Sequence, residues 1–179
     1  MSLEGKRVIV FAEEMYEDPE LWYPYYRLIE AGAEVRLVGT GSATSYNSKH
    51  GYPAKVHAAA DEISVDEVDA IIVPGGFAPD RLRRYPAVLN LVREGLNRGK
   101  VVAAICHGGW VLASAGVLKG RKATGVAAIK DDMVNAGATW VDQEAVVDGT
   151  LVTARTPADL PAWCRAIIAV MEKPAVPAR

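Results

Sequence analysis

The sequence contains few cysteines and no excess of either charge. Two cysteines among 179 residues, with no Cys-x-x-Cys pair, cannot form a disulfide framework or a cysteine zinc site. Such sparse cysteine usage favours a reducing compartment, so we expect a cytoplasmic protein. Twenty Lys and Arg against 22 Asp and Glu leave a net charge of −2, which provides no basic surface for nucleic acid.

Long apolar runs are also missing. The first run, Val8 to Ala12, is shorter than the ~7–15 apolar residues of a signal-peptide core. The segment Val101 to Leu118 lacks Asp, Glu, Lys and Arg, but it includes a histidine, a serine and three glycines. This composition indicates a buried strand that runs into a helix, not a membrane span of ~20 residues. We therefore expect no membrane association.

Short, fully apolar runs alternate with stretches of helical spacing. The runs Val8 to Ala12, Ala70 to Val73 and Val101 to Ile105 have strand length and indicate a parallel sheet buried on both faces. Asp18 and Pro19 begin a predicted helix that Gly32 ends. Further helices are predicted over 88–96, 108–118 and 128–136, and a last helix is predicted to begin after Thr156. Further strands are predicted over 34–38, 122–125, 144–147 and 151–154. The pattern predicts one α/β domain over residues 1–179, with a frayed tail from about residue 174.

Cys106 is the strongest candidate for chemistry. It lies where the predicted strand Val101 to Ile105 ends and the next helix begins, which places its side chain in the crevice at the carboxyl ends of the strands. A helix N-terminus favours thiolate over thiol, so we expect a lowered thiol pKa. Gly108 and Gly109 let the backbone crowd the turn. The alternative is that Cys106 is a small buried hydrophobe, as we expect for Cys164.

Other groups are expected at the same edge of the sheet. Gly75 and Gly76 end a buried strand, and their amides, with that of His107, are candidate donors to an oxyanion. Glu17 follows the first strand, and a carboxyl desolvated there can share a proton with sulfur. The sequence has no phosphate-binding loop, and His50 and His57 have no third ligand nearby, so no metal or organic cofactor is expected.

Seven segments together resemble the PfpI intracellular protease family of the ThiJ/PfpI superfamily. They are spread in one order over residues 7 to 172. The segments are Tyr16 to Leu21, Lys49 to Pro53, Val73 to Asp80, Ala104 to Gly108, Leu118 to Arg121, Asp131 to Ala138 and Ala154 to Leu160.

The resemblance implies a flavodoxin-like three-layer sandwich with a mostly parallel central sheet and a nucleophile elbow at Cys106. It also implies a proton-sharing Glu17, a catalytic His107, and a carboxylate from an adjacent subunit at the position of Asp80, where the family usually has Glu. The expected assembly is a homodimer or homohexamer with sites at the interface. The mixed aromatic and Arg composition of residues 77–85 also suits an interface.

The resemblance implies a stress-related cysteine hydrolase that acts on a small-molecule or peptide substrate. The activities described for the family are protease, glyoxalase III and deglycase, and the sequence does not choose among them. An alternative is a non-enzymatic redox sensor or chaperone with an oxidisable Cys106. A glutamine amidotransferase is disfavoured, because Ala104 stands where that class expects glycine and no downstream histidine follows His107.

Overall fold

The computed structural model describes residues 2–173, so the predicted frayed tail lies outside the described residues. The strands are β1 (Arg7–Phe11), β2 (Glu34–Gly39), β3 (Ser45–Asn47), β4 (Pro53–Lys55), β5 (Ala58–Ala59), β6 (Ala70–Val73), β7 (Val101–Ile105), β8 (Lys122–Ala123), β9 (Thr139–Trp140), β10 (Val146–Asp148) and β11 (Leu151–Ala154). The helices are α1 (Asp18–Glu30), α2 (Ala78–Leu82), α3 (Pro86–Asn97), α4 (Gly109–Ala115), α5 (Lys130–Asn135) and α6 (Leu160–Met171).

Seven strands form one sheet in the order β10-β11-β7-β6-β1-β2-β5. All neighbours in it are parallel except the hairpin β10–β11. The helices form two groups, with α1 against α6 and with α4 against α2, α3 and α5. The predicted α/β class, with a mostly parallel sheet between helices, is confirmed.

The central strands form where successive residues are all apolar, so that both faces of the strand are apolar. Every residue of β6 and β7 is buried, as expected for strands covered on both faces. In register, Val73 pairs with Ala104, so the two strands end almost level with each other. Their carboxyl ends bring Gly75 and Cys106 together at one edge of the sheet.

Some predicted elements differ in length. The helix predicted over 108–118 begins with a 3-10 turn, Cys106–Gly108, continues as α4 and ends at Gly116, which adopts φ 72°. The helix predicted over 128–136 is a 3-10 turn, Ala127–Ile129, followed by α5. Thr156 precedes the last helical segment, but its hydroxyl accepts no capping hydrogen bond from the first turn.

The structure also contains elements that the sequence pattern did not predict. Among them are the short helix α2, the hairpin β3–β4, the edge strand β5 and the short strand β9. Among the described residues, no helix is both long and apolar enough to cross a membrane.

Candidate active site

Cys106 lies in a strained turn between β7 and α4. Its φ is 58°, a left-handed conformation that non-glycine residues rarely adopt. The turn is tight, because a Cβ added at Gly108 would lie 2.7 Å from the carbonyl oxygen of Val73. The strained turn presents the side chain at the sheet edge, which is the geometry of a nucleophile elbow.

The carboxyl beside the Cys106 thiol belongs to Glu20, not to Glu17. Glu20 lies on α1 and is fully buried, and its Oε2 accepts a hydrogen bond of 2.8 Å from the amide of Gly75. Its Oε1 is buried without a hydrogen-bond partner of standard geometry in the described chain, and the Cys106 thiol lies beside this carboxyl. This corrects the expectation that Glu17 occupies that position.

Burial raises the pKa of Glu20 to about 7. The hydrogen bond from Gly75 opposes this shift, and the nearby charge of Glu17 adds to it. The carboxyl therefore changes its charge close to neutral pH, which is where a group that accepts and returns a proton is most effective.

The pKa of the Cys106 thiol is raised to about 12, first by burial and then by the Glu20 carboxylate. The amides of His107 and Gly76 donate toward the sulfur and oppose the shift. The expected lowered thiol pKa is therefore wrong, because desolvation outweighs the amides. Since the effect of Glu20 exists only while Glu20 is ionised, the thiol and the carboxyl titrate as one coupled pair.

The His107 imidazole is the second group beside the sulfur. Its Nδ1 lies 3.3 Å from Cys106 Sγ. Desolvation and the positive charge of Lys49 both lower the pKa of His107, so the imidazole is neutral at pH 7. A neutral imidazole can accept a proton from the thiol.

The two glycines after β6 have different tasks. Gly75 commits its amide to Glu20, so of the three predicted oxyanion donors only Gly76 and His107 direct their amides at the sulfur. Gly76 adopts φ 78°, and a Cβ there would lie 2.5 Å from the carbonyl oxygen of Met15. A bridge between Tyr16 and Gly76 holds this loop against the segment that follows β1.

Charged residues surround the approach to the thiol. Glu17 Oε2 binds Lys49 Nζ at 2.7 Å, and this hydrogen bond raises the pKa of Lys49. His50 Nδ1 lies 2.8 Å from Asp18 Oδ2. Burial raises the pKa of Asp18, but the hydrogen bonds from His50, Ser48 and the backbone together outweigh burial, so the pKa is lowered.

Glu17, Asp18 and His50 place three ligand atoms within 4.8 Å of one another, so these residues could hold a metal ion. In the described chain, Lys49 and the His50–Asp18 pair already use these atoms. The carboxylates of Glu17 and Asp18 therefore lie beside His50, although both are at least 32 residues away in the sequence.

Asp80 lies on α2 and forms an ion pair with Arg84 one turn later. About half of its side chain is exposed, and within the described chain it forms no hydrogen bond with His107. Its predicted contact with His107 of another subunit stays a prediction.

A signal for Glu20 was present in the sequence. Glu20, Pro24 and Leu28 follow one another at intervals of four residues, which places Glu20 on the buried face of α1. A carboxyl on an apolar stripe at the carboxyl edge of a sheet indicates a functional acid.

The family model described as "DJ-1/PfpI family" matches residues 6–170. Deglycase PfpI of Pyrococcus furiosus is 45% identical over 166 residues, covering 93% of this chain and 99% of the relative. Protein/nucleic acid deglycase 2 of Escherichia coli is 40% identical over 163 residues, covering 90% and 95% respectively. The crystal structure of Drosophila melanogaster DJ-1beta superposes with a TM-score of 0.87 at 25% identity, covering 94% of this chain and 91% of that one.

The fold and the elbow cysteine define an α/β protein with a thiol at the carboxyl edge of its sheet. The chain belongs to the DJ-1/PfpI family.

Proposed function

We propose that this protein is a cysteine-dependent deglycase, a hydrolase that removes glyoxal-derived adducts from amines and thiols. The observation that carries the proposal is the Cys106 thiol beside a buried Glu20 carboxyl whose pKa is about 7. The relatives named deglycases, which match nearly the whole chain, support this substrate class.

In the proposed reaction, Cys106 Sγ forms a bond to the electrophilic carbon of the adduct. The thiol is neutral before the attack, so its proton must leave as the S–C bond forms. The Glu20 carboxylate is the proposed acceptor, and the neutral His107 imidazole at 3.3 Å is the second. This assigns to Glu20 the proton-sharing role expected of Glu17.

The negative charge that develops on the substrate oxygen needs fixed donors. The amides of Gly76 and His107 are the proposed donors, because both lie at the sulfur and therefore next to the carbon that the sulfur attacks. Removing one such donor typically costs ~10²–10³ in turnover.

In the last steps, the proton taken from the Cys106 thiol is transferred to the leaving group. Glu20 or His107 donates it to the amine or thiol as the bond between the adduct carbon and that group breaks. Water then adds its oxygen to the sulfur-bound carbon and the S–C bond breaks, which releases the hydrated carbonyl compound and returns a proton to Cys106 Sγ. Peptide and amide hydrolysis and a glyoxalase III-like reaction would use the same groups. A redox sensor would need only the oxidisable sulfur.

We propose a homodimer or homohexamer as the active unit, with Asp80 of an adjacent subunit near His107. The exposure of about half of the Asp80 side chain supports this, since an exposed carboxylate on α2 is accessible to a second copy. We also propose a single domain and a cytoplasmic location, which the two free thiols, Cys106 and Cys164, support.

The test is an assay panel of free methylglyoxal, methylglyoxal adducts of an amine and of a thiol, and a fluorogenic peptide. We expect hydrolysis of the adducts by the wild type and by Cys164→Ala, and none by Cys106→Ala. Cys164→Ala is the matched control because it removes a buried thiol from α6. Cleavage of the peptide alone, or equal turnover by Cys106→Ala, would contradict the deglycase proposal.

A further inference from the structure

The His107 imidazole lacks an obvious orienting group within its own chain. Its Nδ1 faces Cys106 Sγ, and among residues 2–173 the ring has no second side-chain hydrogen bond. In nucleophile–histidine pairs, a third group normally fixes the imidazole so that it can accept the proton. Asp80 of the same chain pairs with Arg84, so within the described chain another side chain must hold the ring.

The Trp110 indole packs directly against this imidazole. The two ring centroids are 5.0 Å apart with an angle of 62° between the planes, an edge-type contact. Trp110 lies three residues after His107, so the two side chains share one side of the turn and helix that follow the elbow. The indole therefore restricts rotation of the imidazole.

Two neighbouring elements hold the indole itself. Trp110 Nε1 donates a hydrogen bond of 3.0 Å to Asp132 Oδ2 on α5. The Arg83 guanidinium, at the end of α2, lies 5.4 Å from the indole ring. Arg83 is itself fixed, because its Nε donates to Ser114 Oγ at 2.9 Å.

We propose that Trp110 is a positioning residue that holds the His107 imidazole against Cys106, with Asp132 and Arg83 fixing the indole. The inference builds on the proposed function, in which His107 accepts a proton from the thiol. It assigns to an indole on the same helix part of the orienting task that a carboxylate performs in a triad.

The charged groups around the imidazole determine what the test should show. Lys49 lowers the pKa of His107, Cys106 Sγ faces its Nδ1, and Arg83 and Asp132 lie beyond Trp110. Desolvation is the largest cause of the lowered pKa. Removing the indole admits water to the ring, so the pKa of His107 should rise toward its usual 6.5.

The experiment is an NMR titration of the histidine ring protons, which resolves few signals because the chain has three histidines. The signal of His107 is assigned by its loss in His107→Gln. We expect Trp110→Leu to raise the pKa of His107 toward 6.5 and Trp110→Phe, which keeps an aromatic ring, to retain most of the wild-type value. Asp132→Ala frees Nε1 but also removes a negative charge, which by itself lowers the pKa of His107. Asp132→Asn removes the same charge and keeps an acceptor for Nε1, so we expect Asp132→Ala to give a higher pKa of His107 than Asp132→Asn; this pair covers the case in which Trp110→Leu fails to fold.

Trp140→Leu is the matched control. Trp140 also has a cation near its ring, Lys130 at 5.1 Å, but it forms no ring contact or hydrogen bond with His107 in the described chain. We expect no change in the pKa of His107. Equal shifts in Trp110→Leu and Trp140→Leu, or no shift in Trp110→Leu together with equal pKa values in Asp132→Ala and Asp132→Asn, would overturn the inference.

Kinetics on the glycated amine complete the test. Trp110→Leu should lower kcat about tenfold with KM within about twofold, since a positioning residue acts on the proton transfer. Trp110→Phe should restore most of kcat. A wild type that hydrolyses no adduct would refute the proposed function, while the titration would still decide the role of Trp110.

Discussion

The amide of Gly75, at the end of one strand, donates a hydrogen bond of 2.8 Å to the buried carboxyl of Glu20, on the first helix. This bond connects the loop after β6 with α1 at the carboxyl edge of the sheet. It fixes one carboxyl oxygen and leaves the other without a partner of standard geometry in the described chain. The proton chemistry that we propose depends on that second oxygen.

Replacing Gly75 should damage the site directly. A Cβ at this position would lie 2.7 Å from the Cβ of Cys106, and it would also collide with the Glu20 carboxyl. We expect Gly75→Ala to lower turnover more than tenfold and to destabilise the fold by about 1–3 kcal/mol, as crowding in packed interiors does. Steady-state kinetics and urea unfolding measure the two effects.

Gly95→Ala is the control for this substitution. Its added Cβ would meet the flexible end of Ile71 at 2.9 Å, and neither Cys106 nor Glu20 is among its nearest neighbours. The helix α3 itself gains from losing a glycine. Full activity in this variant is expected. Unchanged turnover in Gly75→Ala would contradict the close approach described above.

The stability of the protein should fall as pH rises through neutrality. The pKa of Glu20 is raised from its usual 4.5 to about 7, so its contribution is complete below pH 4.5 and is lost as pH rises through 7. A shift of this size corresponds to about 3 kcal/mol. Urea unfolding at pH 5 and pH 8 should show wild type losing about this much relative to Glu20→Gln.

Glu17→Gln is the matched control for this pH effect. It alters a carboxyl on the same helix end that pairs with Lys49. This variant should keep most of the wild-type pH dependence. The assignment fails if wild type and Glu20→Gln lose stability in parallel.

Alkylation should distinguish the two cysteines. Both thiols have a pKa raised to about 12 by burial. Within the described residues, Cys106 has a proton acceptor and two amides at its sulfur and Cys164 has neither. Iodoacetamide near neutral pH should therefore modify Cys106 alone in the folded protein and both thiols in urea. Peptide mass spectrometry gives the site, and labelling of Cys164 first would contradict the expectation.

The proposed interface can be tested with hybrid oligomers. If Asp80 acts on His107 of another subunit, Asp80→Ala should lower turnover without loss of stability. Mixing Asp80→Ala with Cys106→Ala chains should restore part of the activity, because some sites then combine an intact thiol with an intact carboxylate. A monomer by sedimentation that retains full turnover would exclude the shared site.

The fold was largely predictable because its central strands are buried on both faces. The runs that became β6 and β7 are continuously apolar, and the position of Cys106 followed from the end of one of them. The five-residue helix α2 is too short to show a helical period. The central strands could therefore be predicted from local pattern, whereas α2 could not.

The proton chemistry was less predictable because it depends on which groups lose water. Glu17 and Glu20 both lie at the start of α1, and only the packed structure shows that Glu20 is buried while Glu17 reaches Lys49. The same desolvation reverses the expected shift of the thiol pKa. A helix N-terminus alone did not indicate how deeply the sulfur is buried.

The central claim is that Glu20 exchanges a proton with Cys106 during turnover. The most direct test is the pH dependence of kcat/KM on a methylglyoxal-treated amine for wild type, Glu20→Gln and Glu17→Gln. Wild type should rise to a plateau with an inflection near 7, since Glu20 must be ionised to accept the thiol proton. Glu17→Gln should keep the inflection at somewhat lower pH, because the charge of Glu17 raises the pKa of Glu20.

In Glu20→Gln, kcat/KM should be about 10²-fold lower and the inflection near 7 should be absent, because the proton acceptor is gone. The opposite pattern, an inflection that survives in Glu20→Gln and disappears in Glu17→Gln, would contradict the account.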